Sequence, residues 1–195
     1  MLQQLTAELQ RTQMALIQAC STLVRCRQRI AALEAGAICR DAGVKPAFAI
    51  DFRAQFAEDQ VAWEALGRPT KGFYVEAGAF DGVNFSVTYA LEAMGWTGLL
   101  VEPHPLRSEQ CRKNRPGSRV VGSALGGPGD PKVLDFVMVE DRFGGMMSYV
   151  KGSSPHAQAI EQQNAVRTTV KVPATTLDEL LAGHTGPIDL VSLDV

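Results

Sequence analysis

The apolar positions of this chain change period along its length, and the changes mark its parts. Leu2, Leu9, Leu16, Leu23 and Ile30 recur every seven residues, and Leu5, Thr12, Ala19, Cys26 and Leu33 sit three positions later. This is a heptad seam with a weakened second row, and it predicts a helix uninterrupted by proline or glycine before Gly36. At ~1.5 Å per residue the helix is a rod of roughly 50 Å. An isolated amphipathic rod needs a partner for its apolar stripe, so self-association through residues 2–33 is expected. Between Ala35 and Pro46 the pattern stops, punctuated by Gly36, Gly43 and Pro46. The expected division is a heptad helix over 1–36, a linker over 37–50 and a folded domain over 51–195.

Beyond the linker the period alternates. Ala54–Trp63 reads as a short helix, stopped by Gly67 and Pro69. Phe73-Tyr74-Val75-Glu76 is a strand pattern running into a glycine-rich turn, Gly78-Ala79-Phe80-Asp81-Gly82, and helical spacing follows from Val83 to Met94. Thr97–Pro103 is a second strand ending in an acid, Pro105–Arg112 a helix, and Ser118–Leu125 a third strand. This β-α-β-α-β rhythm implies a parallel sheet with right-handed crossovers. The rhythm then changes. Lys132–Glu140 and Met146–Val150 predict a hairpin around Gly144-Gly145, inserted at the sheet edge. Ser153–Gln163 predicts a short helix, Val166–Pro173 an extended piece, and Thr176–Ala182 a helix with Thr176 as its N-cap. Ile188–Val195 is a last strand carrying Asp194 near its end.

Three acids thus fall at three strand ends: Glu76, Glu102 and Asp194. In a parallel sheet those ends share one edge, where open α/β sheets bind ligands. Gly78 and Gly82 allow the sharp turn and leave room for a ligand against the main chain. The spacing acid-x-Gly-x-x-x-Gly differs from the Gly-x-Gly-x-x-Gly of dinucleotide sites, where a pyrophosphate meets the helix N-terminus. Glu76 and Asp81 would repel such an anion. They suit a cationic ligand bearing hydroxyls and an amino group, such as S-adenosylmethionine. Glu102 follows Gly82 by about the interval of an acid that accepts hydrogen bonds from ribose, and Ser123 and Ala124 would flank an adenine ring.

Composition narrows the partners. The 195 residues are 46% hydrophobic and 21% charged, enough for a sizeable core, and the formal net charge of -2 gives no electrostatic reason to expect nucleic acid. No apolar run approaches the roughly 20 residues of a membrane span. Cys20, Cys26, Cys39 and Cys111 form no Cys-x-x-Cys and no zinc spacing, which favours a reduced, cytoplasmic setting. No metal-ligand spacing is present, although one carboxylate with substrate oxygens could hold magnesium.

Four stretches together carry a family resemblance: Gly72–Gly82, Ser86–Glu92, Gly95–Pro103 and Ile188–Val195. In this order they resemble the FkbM family of S-adenosylmethionine-dependent methyltransferases, a branch of the class I Rossmann-like enzymes. Ala54–Asp59 is similar to a family signature upstream of the first strand, so the resemblance covers about Ala54 to Val195 and leaves the heptad segment outside. It implies that Glu76, Gly78 and Gly82 shape a cofactor site to which Ala79, Asp81, Ser86, Pro103, Ser123 and Ala124 contribute, that Glu102 holds the ribose, and that Asp194 faces the methyl-transfer region. Ala57 stands where the family often has glycine, and Val87 where it often has asparagine. The family's last strand here usually continues into Glu-Gly. The expectation is an α/β, Rossmann-like parallel sheet truncated after its fourth main strand, with a β-hairpin insertion and a coiled-coil-like N-terminal helix, and inactive as it stands.

The implied activity is methyl transfer to a hydroxyl of a small molecule or sugar, with Asp194 and His104 as candidate bases. Two other readings stay open. One is a coiled-coil assembly protein with a degenerate Rossmann-like module. The other is a nicotinamide-dependent oxidoreductase, disfavoured by the glycine spacing and by Glu76.

Overall fold

A computed structural model describes residues 2–140, 144–153 and 166–194. The heptad segment forms α1, Leu2–Asp41. It runs straight through Gly36, past the boundary that the pattern predicts. A glycine inside a helix costs about 1 kcal/mol relative to alanine, and packing offsets that cost. Ala31, Ala35 and Cys39 are fully buried on one face. They lie in one apolar cluster with Phe52, Trp63, Leu91, Met94 and Trp96. Gln28 fixes the approach, its Nε2 donating to the Ala54 carbonyl oxygen at 2.7 Å.

The remaining elements are α2 (Glu58–Ala65), β1 (Phe73–Ala77), α3 (Tyr89–Met94), β2 (Thr97–Val101), α4 (Pro105–Asn114), β3 (Ser118–Val121), β4 (Ala124–Leu125), β5 (Val133–Glu140), β6 (Tyr149–Val150), β7 (Val166–Thr175), α5 (Leu177–Leu181) and β8 (Leu190–Leu193). Four strands form a parallel sheet in the order β3-β2-β1-β8. The register sets Ala77 opposite Val101 on one side and opposite Leu193 on the other. Alternation then divides the core. Tyr74 and Leu100 face α1, α3 and α4, while Val75, Ala77, Leu99 and Val101 pack against Leu177, Leu180 and Leu181 of α5. The N-cap expected at Thr176 is present and is a full capping box: its hydroxyl accepts the Glu179 N–H at 3.2 Å and Glu179 answers the Thr176 N–H at 3.1 Å.

Four details depart from the sequence pattern. α2 begins at Glu58 rather than Ala54, because Ala57 is left-handed. The helix after the glycine turn begins at Tyr89 rather than Val83, because residues 86–88 are bonded to Glu76 instead of to a helical ladder. The third strand is two strands. Its first half pairs with β2, and after Gly122-Ser123 its second half pairs with β7. The hairpin is therefore not an appendage at the edge of the main sheet. β5 and β6 belong to a second sheet, ordered β4-β7-β5-β6, with β5 and β7 antiparallel from Val133 opposite Pro173 to Glu140 opposite Val166. The helix predicted over Ser153–Gln163 lies almost wholly outside the described residues. Among the described residues no helix is long and apolar enough to cross a membrane.

Candidate active site

The carboxyl ends of β1, β2 and β8 lie side by side, as the three acids require, yet the acids face different surroundings. Glu76 is buried and points into the helical layer. Its Oε1 accepts the Val87 N–H at 2.8 Å, and its Oε2 accepts the hydroxyls of Ser86 at 2.8 Å and Thr88 at 2.5 Å. The Arg115 guanidinium stands 3.8 Å away. So Glu76 and Ser86 shape the loop from beneath, and their polar atoms are spent within the protein. Arg115 is the hub. It is completely buried and donates to Glu92 at 2.8 Å, the Gly82 carbonyl at 2.9 Å, the Ser86 hydroxyl at 3.0 Å, the Tyr74 hydroxyl at 2.7 Å and the Thr88 hydroxyl at 2.9 Å. One guanidinium thus faces two carboxylates and ties β1, the glycine turn and α3 to the end of α4.

The two glycines are needed for closeness, but the close neighbour is protein. Gly78 has φ +80, and the space a side chain would take is filled by the main-chain carbonyl of Asp194. A side chain on Gly82, at φ +77, would meet the Arg115 stem and the Cys111 sulfur. The expected room for a ligand at these two positions is therefore occupied. Asp81 also turns inward on its own loop, accepting the N–H groups of Val83 at 2.9 Å and Asn84 at 2.8 Å. Ala79 is buried, its N–H directed to the Val101 carbonyl at 3.2 Å.

The open polar groups gather one strand over. The Glu102 carboxylate, 6% exposed, accepts the Phe80 N–H at 2.7 Å through Oε2 and the His104 N–H at 2.8 Å through Oε1. Burial raises its pKa to about 7, against the opposing pull of those two N–H groups and of Arg107. The Glu102 N–H donates to the Val121 carbonyl at 3.0 Å, so Glu102 and Ser123 leave adjacent strands together. Ser123 is buried and its Oγ has no hydrogen-bond partner, with Ala124 buried beside it at the start of β4. Pro103 links Glu102 to His104, whose ring meets Phe136 of β5 edge-on. The His104 Nδ1 is also buried without a partner, and burial, then the nearby Arg107 charge, lowers the imidazole pKa below 6.5. Asp194 lies at the end of β8, its N–H bonded to the Ala77 carbonyl at 3.0 Å and its side chain in an exposed residue.

A family model for the methyltransferase FkbM domain matches residues 76–195. The chain belongs to the FkbM methyltransferase-domain family. The match begins at Glu76, inside β1, and takes in the glycine turn, both sheets and Asp194, leaving α1 outside. Comparison with curated proteins and with solved structures returned no match. Within this FkbM domain the structure adds residues that the sequence did not single out. Phe80, at φ 51, turns its N–H to Glu102, and Arg107 lies over the Phe80 ring at 4.4 Å. Arg115, Glu92, Tyr74 and Thr88 complete the buried network. Only the run Asn114-Arg115-Pro116-Gly117 hints at Arg115, and it reads as an ordinary helix end.

Proposed function

We propose that this domain binds S-adenosylmethionine at the carboxyl ends of the parallel strands and directs its methyl group to a hydroxyl of a small molecule or sugar. The supporting observation is the pair Glu102 and Ser123: a buried carboxylate beside a buried hydroxyl that lacks a partner. The donor set fits the cofactor. Each Glu102 oxygen accepts one main-chain N–H and keeps a lone pair for a ribose hydroxyl. Ser123 Oγ would meet the adenine edge, with Ala124 and Pro103 as apolar walls. When bound, the cofactor supplies an electrophilic methyl group on a sulfonium whose sulfur leaves as a neutral thioether.

The chain's own part is orientation and proton management. Asp194 flanks Gly78 at the sheet edge and would take the proton of the acceptor hydroxyl as the new carbon–oxygen bond forms. His104 is the second candidate base, because its lowered pKa leaves a neutral imidazole with an unpartnered Nδ1 at pH 7. Glu76, Asp81, Gly82 and Ser86 serve indirectly, by fixing the turn between β1 and α3.

Calorimetric titration with S-adenosylmethionine and, separately, with NAD tests the reading. The expected result is binding of the first alone, weakened at least tenfold in Glu102→Ala, since a charge-assisted hydrogen bond contributes about 1.5–3 kcal/mol. Binding of NAD alone would make the domain an oxidoreductase. Binding of neither by the folded chain would leave a degenerate module.

A further inference from the structure

We infer that α1 pairs with α1 of a second copy of this chain as a parallel two-stranded coiled coil, through the Leu2–Leu33 seam. The first observation is that the seam stays uncovered even where α1 lies on its own domain. Ile30 is 56% and Leu33 65% exposed, within the stretch where Ala31 and Ala35 are fully buried. The docking residues Gln28, Ala31 and Ala35 sit on the far side of the helix from the seam, roughly 160° around at 3.6 residues per turn. The domain therefore does not cover the seam itself, although it reaches the flanking residues Arg27 and Glu34 through Glu64 at 4.0 Å and Arg68 at 3.5 Å.

The repeat identifies the occupant. A strict seven-residue period is the geometry of helices that wind around one another, since a lone straight helix drifts off it by about 20° per heptad. With Leu2, Leu9, Leu16, Leu23 and Ile30 at the first core position, Arg29 and Glu34 take the two flanking positions that meet across a parallel dimer, five residues apart, where Glu34, 3.5 Å from Arg68 of its own chain, would stand between two arginines. The other such flanking pairs are Glu8 with Gln13, Ala15 with Cys20 and Thr22 with Arg27, so no like charges meet. Thr12, in the weaker row, spends its hydroxyl on the Glu8 carbonyl at 2.9 Å and so brings no unpaired donor to the seam. A seam roughly 50 Å long on a helix about 10 Å across covers about 1,000 Å² over two copies, the threshold of a specific interface. A lipid surface fits less well. Interfacial helices are rich in Lys and Arg, whereas Leu2–Val24 contains only Arg11 and Glu8 as charges.

Cys26 lies in the second core row, and in the parallel register it faces its own copy at a separation a disulfide can bridge. Light scattering of the full chain is expected to give twice the 21.0 kDa chain mass. Copper–phenanthroline oxidation should then produce a covalent dimer that Cys26→Ser abolishes and Cys20→Ser retains. Leu16→Glu with Leu23→Glu should give monomers that keep a cooperative thermal transition, lowered only by the loss of dimerisation, because both side chains are more than half exposed and touch no core. A monomeric parent overturns the proposal, as does binding to anionic vesicles without dimerisation. A dimer that fails to cross-link through Cys26 overturns the parallel register.

Discussion

Arg115 and Glu92 meet at 2.8 Å in a part of the protein that water does not reach. The pair is one edge of a charge cluster that also holds Glu76, and the cluster carries one more negative charge than positive. Two carboxylates beneath the glycine turn are tolerable only because the guanidinium is there. Arg115→Met strands both of them, and removing one partner of a buried ion pair costs about 3–5 kcal/mol. Arg115→Lys keeps the charge but loses the planar fork of donors, so it should fall between the parent and the methionine variant. Urea denaturation measures both. A methionine variant within about 1 kcal/mol of the parent would remove Arg115 from the role assigned to it.

Ala57 supplies the next prediction. Its φ is 64, a left-handed conformation that L-residues enter at a cost of about 1–2 kcal/mol. Ala57→Gly relieves that strain and loses part of the gain to chain entropy. Ala57 is buried, so the glycine also gives up a methyl worth about 0.8 kcal/mol, and the expected net is a chemical-denaturation midpoint close to the parent's. A destabilisation of more than about 1 kcal/mol would mean that the turn is not strained.

These two residues mark the limit of what could be read from the sequence. The turn at Ala57 was not legible: the pattern places Ala57 inside a helix over Ala54–Trp63, whereas α2 begins at Glu58 and Ala57 is left-handed. The long N-terminal helix, the parallel pairing of the main strands and the Thr176 cap were legible, because each follows from a pattern local to the chain. Arg115 was not legible, since an arginine at a helix end is normally solvated, and only the assembled sheet encloses it. The late start of α3 escaped for a related reason. Helical spacing from Val83 was real, but long-range bonds to Glu76 outcompete the local ladder at residues 86–88.

Glu102 gives a pH dependence to cofactor binding. Burial raises its pKa from 4.5 to about 7, and only the carboxylate can accept from both ribose hydroxyls. The binding-competent fraction therefore shrinks about tenfold per pH unit below 7, and the apparent affinity falls with it. Calorimetric titration with S-adenosylmethionine from pH 5.5 to 8 should show affinity climbing and levelling off above pH 7, as rough bounds on the group's titration. Glu102→Gln should flatten the profile at a weaker level. An affinity independent of pH in the parent would separate Glu102 from the ligand.

Asp59 makes an analogous prediction for stability, away from the site. Its carboxylate is buried at the start of α2 and accepts the N–H groups of Arg53, Ala54 and Gln60. Those bonds and burial pull in opposite directions, and burial prevails, with the charge of Glu58 adding to it, so the pKa rises from 3.8 to about 6. The sign follows from linkage. Between these two values the folded chain binds a proton that the unfolded chain does not, so this group's contribution is full below 3.8 and is lost as pH rises through about 6. The loss amounts to about 3 kcal/mol at about 1.4 kcal/mol per pKa unit. Other groups, Glu102 among them, titrate in the same range and obscure this in the parent alone. Asp59→Asn removes one group and leaves the rest, so the difference between variant and parent isolates it. That difference should move in favour of the variant by about 2 kcal/mol between pH 4 and pH 7 in urea denaturation. A constant offset across this range would show that Asp59 is ionised throughout, and that its three N–H donors outweigh its burial.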